Sequence, residues 1–160
     1  MQKHFSSRFA AALLVAALLG PAPRLVAQAE EEKAVMQVVH DLFDGMREKD
    51  ANKIRGVFAE GARLGGVGRD GSVNYTTAEQ FAMQIGGMEA SLDERIWDWE
   101  VQIDGNLAQV WTKYDILIDG NFSHCGADAF QLLNSQGEWK IAHLADSRRT
   151  GPNCWRYPGN

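Results

Sequence analysis

Residues 120–147 read Gly120-Asn-Phe122-Ser-His124-Cys125-Gly126-Ala-Asp128-Ala-Phe130-Gln-Leu132-Leu-Asn134-Ser-Gln-Gly137-Glu-Trp139-Lys-Ile141-Ala-His143-Leu-Ala-Asp146-Ser147. The spacing predicts two long strands, 122–133 and 138–147, joined by a turn over 134–137. Side chains alternate across a strand, so Phe122, His124, Gly126, Asp128, Phe130 and Leu132 are expected on one face. On the second strand Trp139, Ile141, His143, Ala145 and Ser147 share a face by the same rule. Both sets are apolar next to the turn and become polar away from it, as in a sheet packed on helices at one end and lining a cavity at the other. The opposite face, with Ser123, Cys125, Ala127, Ala129 and Lys140, is small or polar, as an outer or dimer-facing surface would be.

Upstream, two more strands are expected. Residues 93–103 place Arg95, Trp97, Trp99, Val101 and Ile103 on one face, and residues 107–118 follow the turn Asp104-Gly105-Asn106. Asp119-Gly120-Asn121 turns the chain again. Before these strands the period changes to that of helices. Val35, Val38, Val39, Leu42, Phe43 and Met46 give residues 30–49 an amphipathic stripe. Asp50 is placed to cap a short second helix carrying Ile54, Val57 and Phe58, ended by Gly61. Thr77 and Gln80 form a capping box for a third helix carrying Phe81, Ala82, Ile85 and Met88, which Gly86-Gly87 frays.

Between the second and third helices lies Gly66-Val-Gly68-Arg-Asp-Gly71, a literal G-x-G-x-x-G. A dinucleotide site needs a strand before it and a helix opening on it. Here a helix precedes and residues 72–75 read as a strand, so the segment is expected to be a hairpin turn. Helices first and strands later predict an α+β domain with an antiparallel sheet.

Lys3, His4 and Arg8, the apolar run 10–20 and the small residues of Ala27-Gln28-Ala29 have the form of a secretory signal peptide covering 1–29. The run is shorter than the roughly 20 residues of a membrane span. The alternative is an uncleaved N-terminal anchor. Cleavage after Ala29 leaves 30–160, the size of one domain, in the periplasm or outside the cell. Loss of Lys3, Arg8 and Arg24 takes the formal charge from −5 to −8, which disfavours nucleic acid and anionic membranes as partners. Cys125 and Cys154 would be exported together, and a disulfide tying the tail to a central strand is expected; the alternative is two free thiols.

His124, Asp128 and His143 on one cavity wall admit three readings: polar contacts to a ligand, general acid–base chemistry with Asp128 orienting a histidine, or mutual satisfaction without a ligand. They lack the local spacing of a metal site, and no metal or cofactor is expected. The chain has no G-x-S-x-G elbow for a serine hydrolase. Trp97, Trp99, Trp111 and Tyr114 would form either an aromatic wall for a planar ligand or part of the core.

Ala62-Arg63-Leu64, Phe81, Trp111-Thr-Lys-Tyr114, Asp119-Gly120, Ser123-His124-Cys125-Gly126-x-Asp128-x-Phe130-x-Leu132, Trp139-Lys140-Ile141, Arg148 and Cys154 carry a closer likeness. Over about residues 32–154 the chain resembles the nuclear transport factor 2-like superfamily, in particular the SnoaL-like branch labelled "putative lumazine-binding". The resemblance implies a cone-shaped, strongly curved antiparallel sheet wrapped around three N-terminal helices. It also implies a cavity used in some relatives for isomerase, dehydratase or cyclase chemistry and in others for binding. The steroid isomerases' first-helix tyrosine has no counterpart here. SnoaL-type cyclases imply Asp128 and His143 as base and partner.

The expectation is therefore an exported homodimeric protein that binds a small apolar or aromatic ligand with one polar group, through His124, Tyr114, Trp97, Trp111, Asp128 and His143. The alternatives are a lyase or isomerase in which Asp128 or His143 moves a proton, and a dimeric partner domain without a ligand.

Overall fold

The computed structural model describes residues 23–68 and 70–159. The leader expected over 1–29 lies for the most part outside the described residues; residues 23–29 belong to the first helix, and 25–29 are exposed. That helix, α1 (Pro23–Glu48), buries Val35, Val39, Leu42 and Phe43. α2 (Ala51–Gly56) is capped by the Asp50 carboxylate, which accepts from the Asn52 and Lys53 amides at 2.9 and 3.0 Å. Helix α3 (Ala78–Gly86) carries the expected capping box: the Gln80 amide donates to Thr77 Oγ1, and the Thr77 amide donates to Gln80 Oε1, both at 3.1 Å.

Six strands form one sheet: β1 (Phe58–Val67), β2 (Val73–Thr77), β3 (Leu92–Asp104), β4 (Leu107–Ile118), β5 (Asn121–Ser135) and β6 (Glu138–Ser147), in the order β2-β1-β6-β5-β4-β3. Neighbouring strands run antiparallel except β1 and β6, which are parallel, a pairing that requires the long connection the rest of the fold supplies. The architecture is α+β, with the three helices against one face of the sheet. Phe43 meets Phe130 edge-on at 6.2 Å, and Phe58 meets Phe81 at 6.5 Å. These contacts hold α1 and α3 to the sheet through apolar burial. Phe58 begins a strand and does not end the second helix, and Gly61, at φ +77°, sits in a register shift of β1.

The hairpin turns are where the sequence places them. Asp119-Gly120 and Gln136-Gly137 both take positive φ at two successive residues, as the turns that match strand twist require. The G-x-G-x-x-G segment joins β1 to β2, with the Gly68 amide donating to the Ser72 carbonyl at 2.8 Å.

The helix-free face is crossed by the C-terminal segment. Cys125 and Cys154 form a disulfide with Cα atoms 5.7 Å apart. Beyond it the Trp155 indole donates to the Gly126 carbonyl at 3.0 Å, and the Tyr157 amide donates to Asp115 at 3.0 Å. Asp115 is fully buried and receives two hydrogen bonds from Arg95, at 2.8 and 2.7 Å. A buried carboxylate needs such partners.

Candidate functional site

Between the helices and the β1, β3–β6 face lies a cavity of about 430 Å³. One end is apolar, with Leu42, Phe43, Phe81 and Ile85 from the helices; the other carries Glu94, Tyr114, His124, Asp128, Asp146 and Arg148. Five of those six polar residues lie on four adjacent strands, and Arg148 follows β6 directly.

Pairing explains why they converge. Asp128 is opposite Asp146, Asp146 is opposite Gly66, Tyr114 is opposite Gly126, and Ile116 lies between Glu94 and His124. Gly66 leaves room for this carboxylate: a Cβ at this position would lie 2.8 Å from Asp146 Oδ1 and would shift it. The glycine that resembled part of a phosphate motif thus makes room for a carboxylate.

The electrostatics are those of crowded acids. Asp128 is 3% exposed, and its Oδ2 has no donor partner. Glu94 lies close enough for the two carboxyl groups to influence each other's acidity. Burial, then the neighbouring Glu94 and Asp146 carboxyls, hold the Asp128 acidity well above the usual carboxylate range. Burial, reinforced by Asp146, pushes Glu94 up to about 8. Asp146 accepts a hydrogen bond from Arg148 Nε at 2.8 Å. Burial, and then the Arg148 charge, lower the His124 basicity, so the ring is neutral at pH 7. Its Nδ1 lies 3.0 Å from Ser123 Oγ. Burial raises the Tyr114 phenol above its ordinary value, and its hydroxyl donates to the Ser147 carbonyl at 3.0 Å.

Of the residues singled out from sequence, Asp128, His124 and Tyr114 line the cavity. His143, Trp97 and Trp111 do not. β6 carries one extra residue between Ile141 and His143 relative to β5, a bulge that reverses the alternation. His143 therefore pairs with the exposed Gln131, while Leu144 and Asp146 turn inward. A second bulge between Trp97 and Glu100, with Asp98 at φ +51°, splits the face expected for β3. Glu94 and Ile96 point inward before it and Val101 and Ile103 after it; Trp97 packs edge-on against Tyr157 of the tail at 5.8 Å. Trp99 meets His40 of α1 at 5.7 Å. Trp111 is on the outer face, 48% exposed. A third bulge, at Ser123, pairs Phe122 with Leu117 and removes it from the inward set.

Glu94 and Asp146 were missed for the same reason. A signal existed for each: the inward spacing Leu92-x-Glu94-x-Ile96 breaks at Asp98, a residue type that tolerates positive φ, and Ile141 to Leu144 is a step of three in a period-two strand. Among the described residues no group of histidine, cysteine, aspartate and glutamate is arranged to hold a metal ion.

No curated protein matches this sequence. Among solved structures, an NTF2-like protein of unknown function from Shewanella baltica superposes with a TM-score of 0.62 at 18% identity, covering 77% of this chain and 97% of that one. A Streptomyces avermitilis protein described as a "putative dehydratase from the NTF2-like family" gives 0.63 at 14% identity, covering 78% and 99%. A Novosphingobium aromaticivorans protein described as a "putative scytalone dehydratase" gives 0.67 at 10% identity, covering 79% and 89%. These likenesses show a shared fold. The family model described as "Putative lumazine-binding" matches residues 30–144. With the helices, the six-stranded sheet and the cavity in place, the chain belongs to the family described as "Putative lumazine-binding" and has the fold of the NTF2-like proteins it superposes on.

Proposed function

We propose that this chain is an exported small-molecule-binding protein whose cavity takes a mainly apolar, planar molecule with one polar group directed at Glu94 and Asp128. The observation that carries this reading is the polarity of the cavity: about 430 Å³, apolar against the helices and acidic at the far end. Sites of this size and make-up are those that enclose a small molecule and orient it with a few polar groups. Export rests on the signal-like residues 1–29 and on the Cys125–Cys154 disulfide, a bond that persists in oxidising compartments.

A second reading, a lyase or isomerase, is favoured by Glu94 and Asp128, two carboxyls in the cavity lining whose acidities are both held above the usual carboxylate range. Glu94 takes the place expected for His143. Its ionised form would remove a proton from carbon beside a carbonyl, and its protonated form would return one.

The binding reading is tested by native mass spectrometry of the protein after exposure to a metabolite extract, beside a Met88→Trp variant that fills the cavity. One retained small molecule per chain, lost in M88W, supports it. A bare protein across all extracts, or equal retention by M88W, overturns it. If the retained molecule exchanges a carbon-bound hydrogen in deuterated water only while Glu94 is present, the enzymatic reading takes precedence.

A further inference from the structure

Trp111 and His143, which do not reach the cavity, lie in adjacent rows on the helix-free face of the sheet. Register carries each row unbroken across all six strands. One runs Tyr75, Gly65, Ala145, Ala129, Trp111 and Glu100. The other, two residues away on every strand, runs Thr77, Arg63, His143, Gln131, Gln109 and Gln102. The β6 bulge brings His143 and Ala145 to this face.

The first row is a trough with an aromatic ring at each end. Its floor, Gly65, Ala145 and Ala129, carries nothing larger than a methyl group. Tyr75 is 73% exposed and its ring lies against the bare backbone of Gly65, where a Cβ would meet Tyr75 Cε1 at 3.0 Å. Trp111 is 48% exposed. With strands about 4.8 Å apart, the steps from Gly65 to Trp111 span roughly 14 Å. The second row flanks this trough with a guanidinium, an imidazole and amides, which between them donate and accept hydrogen bonds. Among the described residues no side-chain hydrogen bond or ion pair engages Arg63, His143, Gln131 or Gln109. On the other flank stands the C-terminal segment, fixed by its disulfide. There the Trp155 ring lies 5.4 Å from Lys113 Nζ and 3.7 Å from the Arg149 guanidinium.

We propose that this face binds a flat, uncharged oligosaccharide, a β-1,4-linked hexopyranose chain lying along the trough. Its sugar rings stack on Tyr75 and Trp111, and its hydroxyl groups bond to Arg63, His143, Gln131 and Gln109. A pyranose presents an apolar C–H surface to an aromatic face and hydroxyl groups at its edge, and the two rows supply the matching partners side by side. Arg63 and Glu100 lie near opposite ends of the face with neutral amides between them, a balance that suits a chain without charge. A second copy of this protein fits less well. Interfaces between copies are apolar at the centre and polar at the rim, whereas here methyl groups, amides and an imidazole hold the centre and the rings stand at the ends. The site lies on the opposite side of the sheet from the cavity and does not depend on what the cavity holds.

The test titrates the protein with cellohexaose and chitohexaose by calorimetry, with maltohexaose, whose chain coils, as the control. Saturable binding of at least one of the first two, and much weaker binding of maltohexaose, is the expected result. Trp111→Ala should weaken binding about tenfold, the loss of one stacked ring, and Tyr75→Ala by a similar factor. Gln131→Ala keeps both rings and should weaken it about threefold. Melting at the wild-type temperature shows that each variant is folded. Saturating 1-methylnaphthalene, a probe for the cavity, should leave the oligosaccharide affinity unchanged. Failure of both cellohexaose and chitohexaose to bind overturns the proposal, as does wild-type affinity in W111A and Y75A or equal affinity for maltohexaose. Displacement by 1-methylnaphthalene moves the sugar to the cavity and also overturns it. Sedimentation that finds wild type a dimer and W111A a monomer assigns the face to a second copy and overturns it too.

Discussion

Gly126 leaves the space in which the Tyr114 ring lies. The two are cross-strand partners, and a Cβ on Gly126 would fall 2.5 Å from Tyr114 Cε1 and inside the Ser147 carbonyl. Because the ring lies over bare backbone, its hydroxyl reaches the Ser147 carbonyl at 3.0 Å and closes the cavity floor. Aromatic burial and a satisfied hydroxyl are thus bought together by one missing methyl.

Gly126→Ala should therefore be far more harmful than a surface glycine substitution. The new methyl displaces a fully buried tyrosine, and overpacking of that kind costs on the order of 3 kcal/mol. Tyr114→Phe keeps the packing and loses one buried hydrogen bond, about 1–2 kcal/mol. Urea denaturation of both variants checks this; equal midpoints for G126A and wild type would show that the ring can leave the cavity floor at no cost.

Reduction of Cys125–Cys154 should loosen the C-terminal segment before the domain unfolds. The bond closes a loop of sequence separation 29, and removing such a link costs about 3.5 kcal/mol in the chain-entropy account. The Trp155 indole and the Tyr157 ring lose their seats on Gly126 and Trp97. The expected outcome for Cys154→Ser is a lowered Tm and cleavage by protease after Arg149 or Arg156 under conditions that leave the oxidised protein whole. Alkylation of both thiols without reductant in wild type would remove the premise.

The elements were legible in the sequence because each has a local cause. The Asp50 and Thr77 caps, the turns at Asp119-Gly120-Asn121 and over 134–137, and the stripe on α1 all follow from residues within a few positions of each other. The inward run His124-x-Gly126-x-Asp128-x-Phe130-x-Leu132 was legible too, since β5 keeps its register from His124 to Gln131. What alternation could not carry was the far side of a bulge. One added residue in β6 exchanged His143 for Asp146, and another in β3 put Glu94 and Ile96, in place of Arg95 and Trp97, on the face of Val101 and Ile103; both depend on pairing between strands rather than on local sequence.

His143 should accordingly be dispensable for the cavity. It pairs with Gln131 on the outer face, and it is not in the lining. His143→Ala is expected to change affinity for a cavity ligand less than twofold, whereas Asp146→Ala, which also strands the Arg148 charge, should weaken it at least tenfold. Titration of the two variants with 1-methylnaphthalene and 1-acetylnaphthalene separates them. A tenfold loss in H143A would mean that the bulge does not persist in solution.

The acid pair also predicts how stability responds to pH. Glu94 and Asp128 both bind protons more tightly in the folded chain than in the unfolded one, where glutamate titrates near 4.3. Below that value both states are protonated and the full stability is present. As pH rises from about 4 towards 8 the unfolded chain releases protons that the native state keeps, so the free energy of unfolding falls. Above about 8 native Glu94 ionises as well, and its contribution to the slope ends. Allowing for the partial contact of Glu94 with cavity water, the loss is on the order of 2 kcal/mol, or about 6–10 °C in Tm for a domain of this size. Glu94→Gln, with a neutral side chain at every pH, should flatten this decline and be relatively more stable than wild type at about pH 8. Calorimetric melts at several pH values between 5 and 9 measure it, and a wild-type Tm that rises across that interval would show that the pair does not hold a proton in the folded state.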